Sequence, residues 1–386
     1  MCSSCHVSLY LALLLIVGLV SCQAREPRSP INRSEERLEL SELLGKSGTT
    51  AGFERAIMPR QFSFPEDHGP HSSFRTEWWY ATGNLLDSSG RRFGYQLTIF
   101  RSALSPADIV RPSQWAASQI YMGNFAITDV GESHFYAFDR FERGAMGLAG
   151  ASAIPLHVWI GNWSIASIGP QAFPARIKAQ EGGLAIELLV RQETPPVLQG
   201  DHGLSQKGPE AGDASYYYSL PRMHTQGTVR IGDRSHRVEG LSWIDREWST
   251  SSLGRNQVGW DWFGLQLSDG RQVMYYQLRQ TDGHGDPSSA GTLIEADGSA
   301  VALSREQVQL EVTSYWRSPK DGRSYPSSWR LRVPTAQLSL EIRPYFSNQE
   351  LNLAIRYWEG AVGLTGTAKQ KPVTGSGYVE LTGYAD

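Results

Sequence analysis

The sequence has few cysteines and lacks the short motifs that mark several common enzyme classes. Its 386 residues include three cysteines, Cys2, Cys5 and Cys22, all within the first two dozen positions. It contains no His-Glu-x-x-His, no Gly-x-Ser-x-Gly, no phosphate-cradling glycine loop and no two Cys-x-x-Cys pairs. These absences argue against a zinc peptidase, an α/β-hydrolase, a P-loop nucleotide enzyme and a cysteine zinc site. The net charge of −3 gives no reason to expect a nucleic-acid partner.

Long hydrophobic runs are also missing, apart from one near the start. The run from Leu9 to Val20 has the length of a signal-peptide core and is too short to span a bilayer. It leads into Leu-Val-Ser-Cys22, which looks like a bacterial lipobox. We therefore expect residues 1–22 to form a lipoprotein signal, with Cys22 as the lipidated first residue of the mature chain. The alternative is a plain cleaved signal or a mis-called start codon. Residues 23–52 are polar and are expected to form a tether, with one short helix over 35–44.

The expected location follows from this segment. A lipidated protein whose remaining chain has no cysteine suits an oxidising compartment. In a Gram-negative cell, Gln23 after the cysteine gives no inner-membrane retention signal. We expect a cell-envelope protein that is anchored by lipid and faces the periplasm, with the inner face of the outer membrane as the favoured location.

Aromatic and turn-forming residues are abundant. The chain has 12 Trp, 16 Tyr, 13 Phe, 39 Gly and 20 Pro, a combination that favours short strands over long helices. Alternating apolar segments predict strands at 79–85, 93–99, 122–129, 134–141, 156–160, 184–192, 216–220 and 228–231, with a Gly-rich loop over 198–213. Repeated short strands with tight turns indicate antiparallel barrels or sandwiches and argue against a βαβ fold.

A hairpin in the second half can be worked out by counting. Asp269-Gly270 is a strong two-residue turn signal. Counting outward pairs Phe263 with Tyr276 and Asp261 with Leu278, which places the Asp261 carboxylate on an apolar wall. On the other face, Trp260 meets Arg279, close enough for a cation–π contact.

The first and second halves carry similar hairpins. Trp-Trp-Tyr at 78–80 leads to Tyr-Gln-Leu at 95–97, and Trp-Asp-Trp-Phe at 260–263 leads to Tyr-Gln-Leu at 276–278. This weak repeat of one supersecondary unit predicts two barrels of related build. The predicted domains are residues 53–245 and residues 246–386.

The candidate site residues come from two clusters of aromatic and charged side chains. Such aromatics either fill a core or line a cavity for an apolar ligand. The carboxylates beside them either form buried ion pairs with arginine or act as proton donors whose pKa is raised by an apolar surrounding. The candidate acids are Asp261, Asp245 and Glu247, and the candidate binding residues are Glu77, Trp78, Tyr80, Arg246, Trp248, Trp260, Trp262, Tyr276 and Arg279. The histidines lie in turns or are scattered, and no metal site or cofactor is predicted.

The clusters also resemble a known family. The blocks Thr-Glu-Trp-Trp-Tyr at 76–80, Trp-Ile-Asp-Arg-Glu-Trp at 243–248, Gly-Trp-Asp-Trp-Phe at 259–263, Tyr-Trp-Glu-Gly at 357–360 and Gly-Tyr-Val-Glu-Leu-Thr-Gly-Tyr at 377–384 are similar to those of the AttH-like and carotenoid 1,2-hydratase family. The resemblance implies two packed lipocalin-like β-barrels and an activity without cofactor. In the carotenoid branch an acidic residue donates a proton to an isoprenoid double bond. A His and a Trp of that branch match Arg246 and Trp248 here, and arginine cannot replace histidine as a general acid.

Three functions remain open at this stage. The first is a lipid-anchored binder of a lipophilic, isoprenoid- or lipid-like molecule. The family resemblance implies for it an accessory role in an ABC-type export system. The second is a cofactor-free hydratase or isomerase, in which Asp261 donates the proton and tryptophans stabilise a carbocation. The third is a structural partner of a permease, with both barrels filled by side chains.

Overall fold

The computed structural model describes residues 50–106, 113, 115–251, 253–254 and 256–384. The predicted signal, the helix over 35–44, Cys22 and almost all of the predicted tether lie outside these residues. Apart from 3-10 turns at Glu66–His68, Arg305–Gln307 and Pro334–Ala336, the regular structure described is β-strand. Within the same ranges, no helix is long and apolar enough to cross a bilayer.

Thirteen strands form the first sheet. Its antiparallel order is β4-β3-β2-β1-β13-β12-β9-β8-β7-β6-β5, and β10 and β11 pair with β12. The strands are β1 (Thr76–Asp87), β2 (Arg92–Ala103), β3 (Gln119–Asp129), β4 (His134–Arg143), β5 (Ala149–Ser152), β6 (His157–Ile160), β7 (Trp163–Ser167), β8 (Ala175–Glu181), β9 (Leu184–Gln192), β10 (Val197–Leu198), β11 (Leu204–Gln206), β12 (Ala214–Ile231) and β13 (Arg234–Ser251).

Ten strands form the second sheet, in the order β17-β16-β15-β14-β23-β22-β20-β19-β18, with β21 on β22. They are β14 (Gln257–Leu267), β15 (Gln272–Gln280), β16 (Ala290–Ile294), β17 (Ala300–Ser304), β18 (Gln309–Arg317), β19 (Ser324–Val333), β20 (Leu338–Pro344), β21 (Glu350–Asn352), β22 (Arg356–Ala368) and β23 (Lys371–Leu381). Both sheets curl, the first into a nearly closed barrel and the second into a half-barrel. The predicted all-β fold of two tandem lipocalin-like barrels is confirmed.

Several strands, among them β5, β7 and β8, were not predicted, and two predicted features differ from the structure. Residues 216–220 and 228–231 belong to the single long strand β12, and the predicted loop 198–213 contains the short strand β11. The domain boundary predicted at 245/246 falls inside β13, which pairs with β1 and β12 as far as Ser251. The second sheet begins at Gln257.

Alternation along the strands divides the side chains between four apolar clusters, one inside each barrel and two between the sheets. On β1, Trp79, Ala81 and Leu85 face the interior of the first barrel, whereas Tyr80 faces the junction between the sheets. The same period of two places Phe263 in the second core and Trp262 at the junction. Central strands therefore bury both faces, which explains why they are apolar and aromatic almost throughout.

Buried polar side chains connect the two sheets at this junction. The Asn84 amide donates to the Gly377 carbonyl oxygen at 3.0 Å, and the Gln266 amide donates to the Pro221 carbonyl oxygen at 2.8 Å. Gln96 donates to Glu359 on β22. Because buried polar groups are costly unless paired, these bonds fix the relative position of the sheets.

Candidate functional site

The junction between the sheets contains a partly enclosed cavity. It has a volume of about 60 Å³, room for a few water molecules or for the reacting end of a ligand. The side chains that line it come from both sheets and are mostly aromatic or acidic: Trp78, Tyr80, Phe100, Lys207, Tyr217, Asp245, Glu247, Leu253, Trp260, Trp262, Tyr276, Leu278 and Glu380.

Strand register brings these residues together. Across the first sheet, Tyr80 lies opposite Asp245, and Trp78 lies opposite Glu247. Across the second sheet, Trp262 on β14 lies opposite Glu380 on β23, which in turn lies opposite Glu359 on β22. Carboxyl groups from the two sheets thus meet in one apolar space.

Asp245 is held by hydrogen bonds to both of its oxygens. The Trp243 indole donates to Oδ1 at 2.7 Å, and the Tyr217 hydroxyl donates to Oδ2 at 2.7 Å. The Trp262 indole donates to the Tyr217 oxygen at 3.1 Å. Burial raises the pKa of Asp245 to about 7, although hydrogen bonds with Ser219, Tyr217 and Trp243 oppose the rise. Asp245 is therefore an acid that is mostly protonated below about pH 7.

Glu380 behaves similarly on the opposite sheet. Burial raises the pKa of Glu380 to about 8, with a further rise from the charges of Asp245 and Glu247 and an opposing hydrogen bond from the Trp260 indole. Burial and the neighbouring charge of Glu380 also raise the pKa of Glu359 well above its usual range. Two carboxyl groups on adjacent strands cannot both ionise easily in an apolar surrounding.

Glu247 has a different surrounding, because a buried lysine faces it. The Lys207 ammonium lies 3.4 Å from Glu247 Oε1, and the Ser215 hydroxyl donates to the same oxygen. Burial lowers the pKa of Lys207, but Glu247 and Tyr276 together outweigh it through their charges and hydrogen bonds, so the net shift is upward. The ammonium also lies 3.7 Å from the ring centroid of Tyr276. The cavity therefore contains one ion pair beside acids that resist ionisation.

The structure places Asp261 away from this cavity. The hairpin register is one residue off the predicted one, with Trp262 opposite Tyr276 and Asp261 opposite Gln277. The turn is longer than predicted, because Leu267 bonds to the carbonyl of Arg271 and Gly270 has a φ of +91°. The one-residue shift changes which β15 side chains share each face of β14. Tyr276 and Leu278 lie with Trp262 at the junction, whereas Asp261 lies on the face of Phe263, toward the second barrel's interior.

Asp261 is held there by a cation. Its Oδ1 lies 3.0 Å from Arg279 Nε and 2.8 Å from the Tyr384 hydroxyl. The Arg279 guanidinium stacks 3.7 Å above the ring of Tyr384, so the predicted contact with Trp260 is wrong. Burial raises the pKa of Asp261 against these partners. The geometry gives Asp261 a structural ion pair and no access to the cavity.

Glu77 and Arg246 also lie elsewhere, inside the first barrel. Glu77 is fully buried and forms ion pairs with Arg101 and with Arg246, the latter at 2.9 Å. Despite burial, these arginines and His71 hold the pKa of Glu77 well below its usual range. Trp248 is fully buried beside them, with the His71 ring stacked on it at 3.6 Å. This cluster is a buried ion-pair network with arginine, which is one of the two alternatives predicted for the carboxylates.

Of the predicted site residues, those brought together at the cavity are Trp78, Tyr80, Asp245, Glu247, Trp260, Trp262 and Tyr276. Lys207, Tyr217, Glu359 and Glu380 were not predicted. Glu359 and Glu380 stand in apolar strand segments near the C-terminus, and a carboxylate in such a segment is the signal that could have found them. Within the described ranges, no group of three or more His, Cys, Asp or Glu side chains is arranged to hold a metal ion.

Solved structures share this architecture. A crystal structure of an AttH candidate from Nitrosomonas europaea is 30% identical, with a TM-score of 0.76, and the match covers 86% of this chain and 100% of that one. Kievitone hydratase from Nectria haematococca is 17% identical, with a TM-score of 0.65, over 88% of this chain and 97% of that one. CghA is 13% identical, with a TM-score of 0.50, over 90% and 98%.

The strength of the similarity decides what each comparison supports. The two below 25% identity show a shared fold. A comparison with curated proteins gave no match. A family model described as AttH-like matches residues 55–384, nearly all of the part that the structure describes. The chain therefore belongs to the AttH-like family.

Proposed function

We propose that the protein is a cofactor-free acid–base enzyme of the hydratase or isomerase type, acting on a lipophilic molecule that carries a carbon–carbon double bond. The observation that carries this proposal is the meeting of Asp245 and Glu380 across an aromatic-walled cavity. An acid kept un-ionised by an apolar site can protonate an alkene, and aromatic faces stabilise the resulting cation.

The surroundings of the acids support this chemistry. Trp78, Trp260 and Trp262 line the cavity beside the carboxyl groups, so a positive charge that develops on a substrate carbon would face π-electron density. Glu247 is paired with Lys207, which leaves Asp245 and Glu380 as the acids of the cavity lining without a cationic partner among the described residues. The name of one structural neighbour, kievitone hydratase, is compatible with this proposal but belongs to that protein.

Deuterium incorporation tests the proposal without knowledge of the natural substrate. Myrcene, linalool and squalene are incubated with the protein in D₂O, and recovered hydrocarbons and alcohols are examined by mass spectrometry. We expect deuterium on carbon in at least one compound with the wild-type protein, and none with a variant carrying both Asp245→Asn and Glu380→Gln. Equal incorporation by wild type and double variant would contradict the proposal, as would the absence of incorporation from all three.

The second candidate function is binding of a lipophilic molecule without chemistry. The apolar part of the lining, which includes Phe100, Leu253 and Leu278, favours it because such a surface retains a neutral ligand. Diphenylhexatriene, a neutral fluorescent probe, is titrated into wild type and the double variant. Equal binding by both, with no deuterium incorporation by the wild type, would favour the binder.

We also propose that Cys22 carries a lipid anchor and places the protein in the cell envelope, with an export system as partner. The proposal rests on the Leu-Val-Ser-Cys segment of the sequence. Radiolabelled palmitate is fed to cells that express the full chain. Label that enters the wild type and not Cys22→Ser is the expected result, and equal labelling of both would contradict it. Crosslinking in intact cells tests the export partner, which recovery of no transporter subunit would contradict.

A further inference from the structure

The carboxyl groups at the junction are not equally available to a ligand. Both oxygens of Asp245 accept hydrogen bonds, from Trp243 and Tyr217. Glu247 is engaged by Ser215 and Lys207. A carboxyl whose oxygens are already occupied must break a bond before it can approach a substrate atom.

Glu359 is unavailable for another reason. It is 1% exposed and lies outside the cavity lining. Its Oε2 accepts a hydrogen bond from Gln96 at 2.5 Å, and the carboxyl also interacts with the hydroxyls of Tyr80 and Tyr357. This carboxyl lies behind the cavity wall.

Glu380 differs from these three acids. It lines the cavity and is only partly buried. Among the described residues, the Glu380 carboxyl has no cationic partner. Its side-chain hydrogen bond comes from the Trp260 indole. Its neighbours across the strands are Trp262 and Glu359, so a carbon atom in the cavity can approach it against an aromatic wall.

We propose that Glu380 is the catalytic acid of this site, the group that transfers its proton directly to a substrate carbon, and that Asp245 is a positioning residue. The assignment rests on the proposed function. In the step, the Glu380 O–H bond breaks and the alkene π pair forms a new C–H bond, which leaves a carbocation and the Glu380 carboxylate. Water then adds to the cation through its oxygen, and the extra proton of that oxygen returns to Glu380. The sum is alkene plus water giving alcohol.

The groups that face Glu380 suit this role. Asp245 and Glu247 lie across the cavity, and Glu359 lies beside it on β22. Burial and the nearby acids raise the pKa of Glu380 to about 8, so it is protonated at neutral pH. The same neighbours make its carboxylate short-lived, because ionisation of a second acid in this space is unfavourable.

A diazo reagent tests direct proton transfer to carbon without the natural substrate. Phenyldiazomethane reacts with an un-ionised carboxyl group. The acid protonates the diazo carbon, nitrogen gas leaves, and the carboxylate captures the benzyl cation as an ester. The protein is treated at neutral pH, digested, and mapped by mass spectrometry. We expect the benzyl ester on Glu380 within the cavity, and we expect Asp245 to remain unmodified.

Variants make the result decisive. Asp261→Asn serves as the matched control, because Asp261 is a buried acid with a raised pKa that lies away from the cavity; labelling of Glu380 should be unchanged. Leu253→Ala widens the cavity and secures entry of the reagent. Esterification of Asp245 in preference to Glu380, or no esterification of Glu380 even in Leu253→Ala, would overturn the assignment.

Deuterium incorporation separates this assignment from the proposed function. If Glu380 donates the proton, Glu380→Gln should reduce incorporation by about 10²-fold or more, with little change in binding of diphenylhexatriene. Incorporation that survives in Glu380→Gln and is lost in Asp245→Asn would leave the proposed function intact and overturn the assignment. Esterification of Glu380 without deuterium incorporation into any alkene would support proton transfer from Glu380 and contradict the proposed function.

Discussion

Replacing Asp245 by asparagine should change the stability of the protein in opposite directions at low and high pH. Burial raises the pKa of Asp245 in the folded protein to about 7, from an ordinary value of 3.8. A folded-state pKa above the unfolded value gives a contribution to stability that is fully present below about pH 4 and is lost as the pH rises to about 7. Asparagine cannot ionise, so its contribution does not depend on pH.

The size of the effect follows from two opposing contributions. The two pKa values differ by about 3 pH units, and each unit corresponds to about 1.4 kcal/mol, so ionising Asp245 in the folded protein costs about 4 kcal/mol. The amide, however, cannot accept hydrogen bonds from both Trp243 and Tyr217, and one unpaired buried donor costs about 1–3 kcal/mol. Relative to wild type, Asp245→Asn should be about 1–3 kcal/mol less stable near pH 4 and about 1–3 kcal/mol more stable near pH 8.

The assay is urea unfolding of both proteins at about pH 4, 6 and 8, followed by tryptophan fluorescence. Glu210→Gln, a substitution of an exposed carboxylate, is the control and should show no inversion. The reasoning would be refuted if the wild type gained stability over Asp245→Asn as the pH rises. Such a result would mean that Asp245 is ionised and well paired in the folded protein.

Three further substitutions test the remaining ion pairs. Glu77→Gln breaks a fully buried network and should lower the free energy of unfolding by about 3–5 kcal/mol at neutral pH. Because the pKa of Glu77 is lowered on folding, this loss of stability should shrink as the pH falls below about 4. A loss that grows in acid would contradict this. Asp261→Asn should lower the thermal midpoint and leave deuterium incorporation unchanged; lost incorporation with intact folding would return Asp261 to the site. Lys207→Met leaves Glu247 without its cation and should destabilise the protein by about 3–5 kcal/mol. Adding Glu247→Gln should restore much of the lost stability, measured by thermal unfolding. A double variant no more stable than Lys207→Met would refute the pairing.

The architecture was predictable because it depends on local patterns. Alternating apolar residues, frequent turn residues and abundant aromatics indicated antiparallel strands. The strand regions from 79–85 to 184–192, apart from Leu156, lie within strands of the structure. The predicted segments 216–220 and 228–231 could not be recognised from sequence as one strand, because Pro221 lies between them and proline usually marks a strand boundary. A register shift at Leu220–Met223 accommodates it.

The position of Asp261 shows why a site is harder to predict than a fold. Asp-Gly at 269–270 is compatible with a two-residue turn and with a longer one, and the two differ by one residue in register. That single residue decides whether Tyr276 and Leu278 share a face with Asp261 or with Trp262. The shorter turn was predicted, and Asp261 was therefore given the wrong cross-strand neighbours.

Glu380 was missed because its role depends on distant pairing. It lies more than a hundred residues after Trp262, and only the pairing of β14 with β23 makes them neighbours. Asp245 and Glu247 were found because tryptophans stand beside them in the sequence. Strand pairing between distant segments, which no local pattern encodes, assembled the rest of the cavity.

Infrared spectroscopy of the carboxyl groups tests the central claim most directly, because an un-ionised carboxyl has a carbonyl band that a carboxylate lacks. The wild-type protein is titrated through neutral pH beside Asp245→Asn and Glu380→Gln. We expect Asp245 and Glu380 to be un-ionised at about pH 6 and to lose their protons near pH 7 and pH 8, with the carbonyl band of the substituted acid missing in each variant. If neither substitution removes a carbonyl band at that pH, both acids are already ionised, and the cavity cannot supply a proton as described.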